Sequence, residues 1–200
     1  MYNGPYKLGI NLMGGSGLSV DEHVALLKRI GWDGFFTGWN REKLGEFKAA
    51  ADKYGMIWQS IHAPFTQVRY MWNEGELGEQ VTAELIECVK DCADHGVPVM
   101  VIHPFIGFKD HTPTQVGLDN YARVVEVANK LGVKLGFENV EGEEYLAALI
   151  RLEDGVTLYN SLNPKARSNK GADPAELEAR RTTLRAELES LAAPYEKRHF

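Results

Sequence analysis

The chain has 200 residues, 44% hydrophobic and 25% charged, enough for one large domain or two small ones around a buried core. Twenty-eight acidic against 22 basic residues leave a net charge of -6, which argues against a surface built to track a phosphate backbone. No apolar run reaches the roughly 18–20 residues of a membrane helix, the start Met1-Tyr2-Asn3-Gly4-Pro5 does not read as a secretory leader, and Cys88 and Cys92 are too few for a disulfide framework. The expectation is a cytoplasmic enzyme or binding protein.

In chain order, one phrase repeats: a short apolar run, a turn, a helix-period segment, a glycine. The runs are Lys7 to Met13, Gly34 to Thr37, Met56 to His62, Val99 to His103 and Val133 to Glu138. Their Ile, Val, Leu and Phe show little strict alternation, as strands covered on both faces do. Ser19-Val20-Asp21-Glu22 is a capping box that opens a helix ending at Gly31. Further helices are predicted over about Glu42 to Tyr54, Leu77 to His95 and Thr114 to Leu131, stopped by Gly55, Gly96 and Gly132. A fifth is predicted from about Glu143 to Leu152.

Strand-helix units in series imply parallel strands with right-handed crossovers, in an open doubly wound sheet or a barrel. Gly14-Gly15-Ser16-Gly17 lacks the spacing of a dinucleotide fingerprint. Polar residues instead end strand after strand: Asn11, Thr37, His62, His103 and Glu138. In a barrel such ends converge on one mouth, which favours the barrel. Three more units would need roughly 80 residues, and 48 follow Leu152. The expected fold is therefore α/β, a partial or variant TIM-type (β/α) barrel of about five to six parallel strands. Residues 1–160 form the barrel portion, with a short last strand near Gly155 to Tyr159. Residues 161–200 form a linker and a C-terminal helix capped at Asp173-Pro174. The Leu177, Leu184 and Leu191 stripe of that helix fits docking on its own barrel or the seam of a homodimer.

His62, His103 and Glu138 end three consecutive strands. One such histidine is usually a hydrogen-bonded structural residue; three polar ends in register fit ligand duty better. Two imidazoles and a carboxylate suit Zn, Mn or Fe(II), which would polarise a sugar carbonyl and hydroxyl or activate water. Trp39, Phe65 and Trp72 follow strands two and three, where aromatic rings stack on a sugar face or pack beneath a loop. Lys109, Asp110 and His111 suit a phosphate or solvent, and Cys88 and Cys92 read as core residues.

Ser60-Ile61-His62-Ala63-Pro64-Phe65, Val101-Ile102-His103-Pro104 and Leu135-Gly136-Phe137-Glu138-Asn139 resemble the strand-three, strand-four and strand-five segments of the xylose isomerase-like barrels. That superfamily includes sugar phosphate isomerases/epimerases and apurinic endonucleases of the endonuclease IV type. Gly9-Ile10-Asn11-Leu12 resembles its first strand and Gly31-Trp32-Asp33-Gly34 the approach to its second. The resemblance covers about residues 6–152. It implies that Glu138 binds a divalent metal (Mn, Zn or Mg) beside the reacting carbons. It also implies that His62 and His103 join it at a metal or line the pocket, and that Glu144 is a second acid/base. Asn11, by its strand-end position, and Trp39, by its place after strand two, are expected with the histidines to touch the substrate.

The family's later ligands have no match here: His199 is the one histidine after Glu138, and Gly155 to Asn160 ends in no carboxylate or imidazole. The implied activity is that of a sugar or sugar phosphate isomerase/epimerase-like protein, moving a proton between adjacent carbons of a ketose or aldose. It would be lost if strands six to eight are missing. The alternatives are a metal-dependent apurinic endonuclease-like hydrolase and a non-catalytic truncated barrel. The expected partner is a small sugar or sugar phosphate; neither nucleic acid nor a membrane is expected.

Overall fold

The computed structural model describes residues 6–12, 14, 16–107, 112–138, 143–150 and 156–158. Six strands, β1 (Gly9–Asn11), β2 (Gly34–Gly38), β3 (Ile57–His62), β4 (Val99–Ile102), β5 (Lys134–Phe137) and β6 (Val156–Leu158), pair in sequence order, every pair parallel. The helices between them are α1 (Val20–Ile30), α2 (Leu44–Tyr54), α3 (Glu76–Asp94), α4 (Gln115–Leu131) and α5 (Glu143–Ile150). A short 3-10 helix, Val68–Trp72, lies between β3 and α3, where the sequence suggested only loop. β1 is shorter than predicted, and α2 starts two residues late because Arg41 to Lys43 form a turn. The predicted C-terminal helix from Asp173, its leucine stripe, and Lys109, Asp110 and His111 lie outside the described residues.

The capping box is present in full. Glu22 N–H donates to Ser19 Oγ, and Ser19 N–H donates to Glu22 Oε2 at 2.9 Å. Ser19→Ala is expected to lower Tm by about 2–4 °C, the effect of losing one good cap in a domain of this size. An unchanged melt would show that tertiary packing alone starts α1. Glycines close α1, α2 and α4 in the left-handed conformation, as predicted.

Register partners on neighbouring strands share a face, and the helices mark which face is covered. Phe35 on β2 stacks with Trp58 on β3, and Trp58 packs against Phe47 of α2. Phe137 on β5 packs against Tyr121 of α4. Ile61, Met100 and Leu135 form one row of this covered face, each 1% exposed or less. α1 packs chiefly on α2, and α3 on α4.

The opposite, inner face carries no helix among the described residues. Its direction in β3 is set by an irregularity. Phe35 pairs with Trp58, yet Phe36 pairs with Ser60, so Gln59 is an extra residue in β3. Such a bulge reverses the side-chain alternation beyond it. Trp58 and Ile61 both face the helices, whereas Ser60 and His62 face inward. Gly34, just ahead of the bulge, leaves room for the neighbouring strand, because a Cβ there would stand 2.6 Å from the Ile57 carbonyl oxygen. Among the described residues, no helix is long and apolar enough to cross a membrane.

Candidate metal centre

His62 is the last residue of β3, His103 follows β4 and Glu138 follows β5. By strand alternation all three belong to the inner face, at the C-terminal edge of the sheet. The structure brings them together. His62 Nε2 lies 3.0 Å from His103 Nε2, and Glu138 Oε2 lies 3.5 Å and 3.6 Å from those atoms. A circle through the three atoms has a radius of about 2.0 Å, close to the bond length of imidazole and carboxylate to a small divalent cation. Among the described residues, no other group of three or more His, Cys, Asp or Glu has its ligand atoms so close together.

The two imidazoles are supported differently. His62 Nδ1–H donates to the Ala63 carbonyl at 2.8 Å, which fixes the tautomer that leaves Nε2 free as a ligand. His103 Nδ1 is buried and has no hydrogen-bond partner. Its proton is therefore cheaper to keep on Nε2, donated to His62 Nε2, than buried unpaired on Nδ1. A cation at the trio would displace that shared proton. The donor set thus fits a cation, with His62 presented for it and His103 required to change tautomer.

Electrostatics follow the same asymmetry. Burial pulls the His62 pKa down, but the Glu138 carboxylate and the Ala63 carbonyl outweigh it, and His62 titrates above its usual 6.5. Burial, and then the neighbouring His62 charge, push His103 down to about 4. The His62 hydrogen bond holds Glu138 below the usual carboxylate range despite partial desolvation. At neutral pH the trio therefore offers a carboxylate, a neutral imidazole and a second imidazole that keeps its proton to a higher pH than usual.

The segment after β4 is clamped from outside the sheet. The Tyr121 hydroxyl of α4, fully buried, shares its hydrogen between the His103 and Pro104 carbonyls, 2.9 Å from each. Trp72 Nε1 also donates to the Pro104 carbonyl, at 2.7 Å. Trp72 is itself wedged against Tyr121 and Tyr145. Nothing local in the sequence announces that the Tyr121 hydroxyl meets a strand end 18 residues earlier. Tyr121→Phe is expected to cost about 1–2 kcal/mol, the penalty for stripping a donor from a buried carbonyl. It should also loosen His103. Urea unfolding gives the first effect, and a change in the ring-nitrogen NMR signals of His103 gives the second.

The other predicted residues fall as follows. Phe65, 41% exposed, sets its ring 5.2 Å from His62 and 5.1 Å from His103, beside the trio. Asn11 ends β1, exposed on the inner face. Trp39 follows Thr37 and Phe35 toward the helices. Its Nε1 donates to Asp91 Oδ2 of α3 at 2.8 Å, where Arg41 Nε also meets that carboxylate oxygen at 3.0 Å. Trp72 is core, 2% exposed, as the packing alternative had it. Cys88 and Cys92 are fully buried in α3. Glu144 is half-buried in the first turn of α5 and is not among the groups that meet at the trio.

A protein-family model described as "Xylose isomerase-like TIM barrel" matches residues 24–189. The chain belongs to this family. Xylose isomerase-like barrels of known structure share its fold. One is the 3-keto-D-glucoside 4-epimerase YcjR from E. coli, 13% identical with a TM-score of 0.65 over 89% of this chain and 76% of that one. Another is D-psicose 3-epimerase from Clostridium cellulolyticum H10, solved with D-tagatose, 13% identical with a TM-score of 0.61 over 76% and 62%. A third is a xylose isomerase-like TIM barrel protein from Mycobacterium smegmatis in complex with magnesium, 14% identical with a TM-score of 0.60 over 88% and 71%. At these identities the likeness is one of fold. The chain spans 62% of the length of the C. cellulolyticum epimerase. No curated protein matches the sequence.

Proposed function

We propose that this xylose isomerase-like chain binds a divalent cation (Mn, Zn or Mg) through His62, His103 and Glu138 and acts on a ketose or aldose as an isomerase or epimerase. The observation that carries the reading is the mutual closeness of the three ligand atoms, 3.0, 3.5 and 3.6 Å apart, which leaves a gap that a small cation at bonding distance would fill. The sugar half is supported by the structural neighbours, two of which are sugar epimerases. When bound, the cation would polarise a sugar carbonyl and its adjacent hydroxyl, easing removal of the proton on the carbon between them.

The chain's own residues supply the rest. Glu138 places its negative charge beside the reacting carbons. The Ala63 carbonyl keeps His62 in the ligand tautomer. Phe65 forms an apolar wall at the two imidazoles that limits access of water. Glu144 is proposed as the second acid/base, and Asn11, with the histidines, as a sugar-hydroxyl partner. The Trp39 indole nitrogen is already satisfied by Asp91, so Trp39 is proposed to hold the segment after β2 rather than the substrate.

The test is calorimetric titration with Zn, Mn and Mg, followed by activity on a ketose panel beside an abasic-site duplex. One cation per chain and turnover of a ketose are expected. Duplex cleavage without any response to sugars would overturn the sugar reading in favour of phosphodiester hydrolysis.

The pH dependence is specific. Ligand nitrogens must be unprotonated. His62 titrates above 6.5 and His103 near 4. Between pH 5 and the His62 pKa, affinity should therefore fall with falling pH by about tenfold per unit, with one proton released per cation bound. A slope of two protons in that range, or none, contradicts the assignment.

A further inference from the structure

Three glycines of β1 and β2 lie on the inner face: Gly9, Gly34 and Gly38. Two have a structural reason. A Cβ at Gly9 would stand 2.5 Å from Gln59 Oε1, because the amide of the bulge residue lies across this face, and Gly34 is crowded by the Ile57 carbonyl. Gly38 has neither reason. Among the described residues a Cβ built there meets nothing within 4 Å, and its φ is not among the positive values that favour glycine. Its register partner is His62, one strand spacing of about 4.8 Å away. At the end of β1 the exposed Asn11 pairs with Phe36, two residues before Gly38, and so stands diagonally across from Gly38 on the same face.

We propose that the open surface over Gly38, beside His62 and diagonal to Asn11, seats the carbon chain of a polyhydroxylated ligand, and that the missing side chain at position 38 sets how long a ketose the protein accepts. The inference rests on the cation reading above and deepens it. A ketose anchored by its carbonyl end at His62, His103 and Glu138 continues toward β2. There any side chain larger than hydrogen would project beside the His62 ring and occupy the path. The Asn11 amide offers both a donor and an acceptor to the hydroxyls that arrive. A three-carbon ketose ends before this surface, whereas a six-carbon one crosses a full strand spacing.

The test loads the protein with Co(II) and follows its visible spectrum during titration with 1,3-dihydroxyacetone and with D-tagatose. Wild type is expected to respond to both. Gly38→Val is expected to keep its cobalt affinity, its melting temperature and its dihydroxyacetone response, but to bind D-tagatose about 10- to 100-fold more weakly. Gly38→Ala should fall between, and it carries the test if the valine variant fails to fold. Undiminished D-tagatose binding by the substituted chain overturns the proposal, as does equal weakening of both ligands or loss of cobalt itself. A wild-type chain that binds cobalt and ignores D-tagatose overturns the seat alone. One that binds no cobalt overturns the cation reading and the seat with it.

Discussion

Glu138→Gln is expected to abolish cation binding, weakening it by a factor of about 100 or more, while the chain still folds. The comparison that sets this scale is the loss of an outer-shell partner, which costs about 10- to 100-fold by itself; removing a charged ligand removes more. The substitution keeps the shape of the side chain and discards the charge that balances two imidazoles around a dication. Folding should survive because the Glu138 side chain is 45% exposed and belongs to no part of the core. The same substitution has a second consequence in the metal-free protein. Glu138 supplies much of the lift that offsets burial at His62, so the His62 pKa should drop in Glu138→Gln. Titration followed by NMR reads that shift directly. Metal content equal to wild type, with the His62 titration unmoved, would show that the carboxylate does not act on the imidazoles at all.

Gly117→Ala should be the most damaging single-methyl change in the described core. A Cβ there would sit 2.0 Å from Trp72 Cε3, 2.4 Å from Cδ2 and 2.7 Å from Cζ3. The indole cannot retreat, since it is 2% exposed and backed by Tyr121 and Tyr145. Overpacking of this kind costs about 3 kcal/mol or more. Helix propensity pushes the other way, because alanine in a helix interior is better than glycine by about 1 kcal/mol. The sign of the measured change therefore decides between the two effects. A Gly117→Ala chain as stable as wild type in urea would overturn the packing account. Partial recovery in a Gly117→Ala/Trp72→Phe double variant would locate the strain at the indole. Because Trp72 pins the Pro104 carbonyl, the alanine variant should also lose cation affinity, linking α4 packing to the geometry of His103.

Much of the architecture was legible along the chain. Glycine stops and the Ser19 to Glu22 cap are short-range signals, set by neighbours three or four residues away, so they survive without any tertiary context. The apolar runs at Val99 to His103 and Val133 to Glu138 announced covered strands for the same reason. The 3-10 helix at Val68–Trp72 did not announce itself. Its hold comes from Thr114 Oγ1 and Asn120 Nδ2, which donate to the carbonyls of Trp72 and Met71 from 42 and 49 residues away. Trp39 was equally opaque. Its position after β2 suggested the mouth, but alternation from Phe35 and Thr37 turns it toward α3, where Asp91 waits.

His62 shows best where sequence stops and tertiary structure begins. Its residue type, its place at a strand end and its spacing from His103 and Glu138 were determined by the sequence alone, as was the α/β repeat that puts the three on consecutive strands. Strict alternation along β3 would have put His62 on the same side as Trp58, under the helices. The extra residue Gln59, just past the close approach of the Ile57 carbonyl to Gly34, reverses that alternation and turns the imidazole inward. Only the paired sheet could decide this, because a bulge is a mismatch between two strands and has no existence in either one by itself.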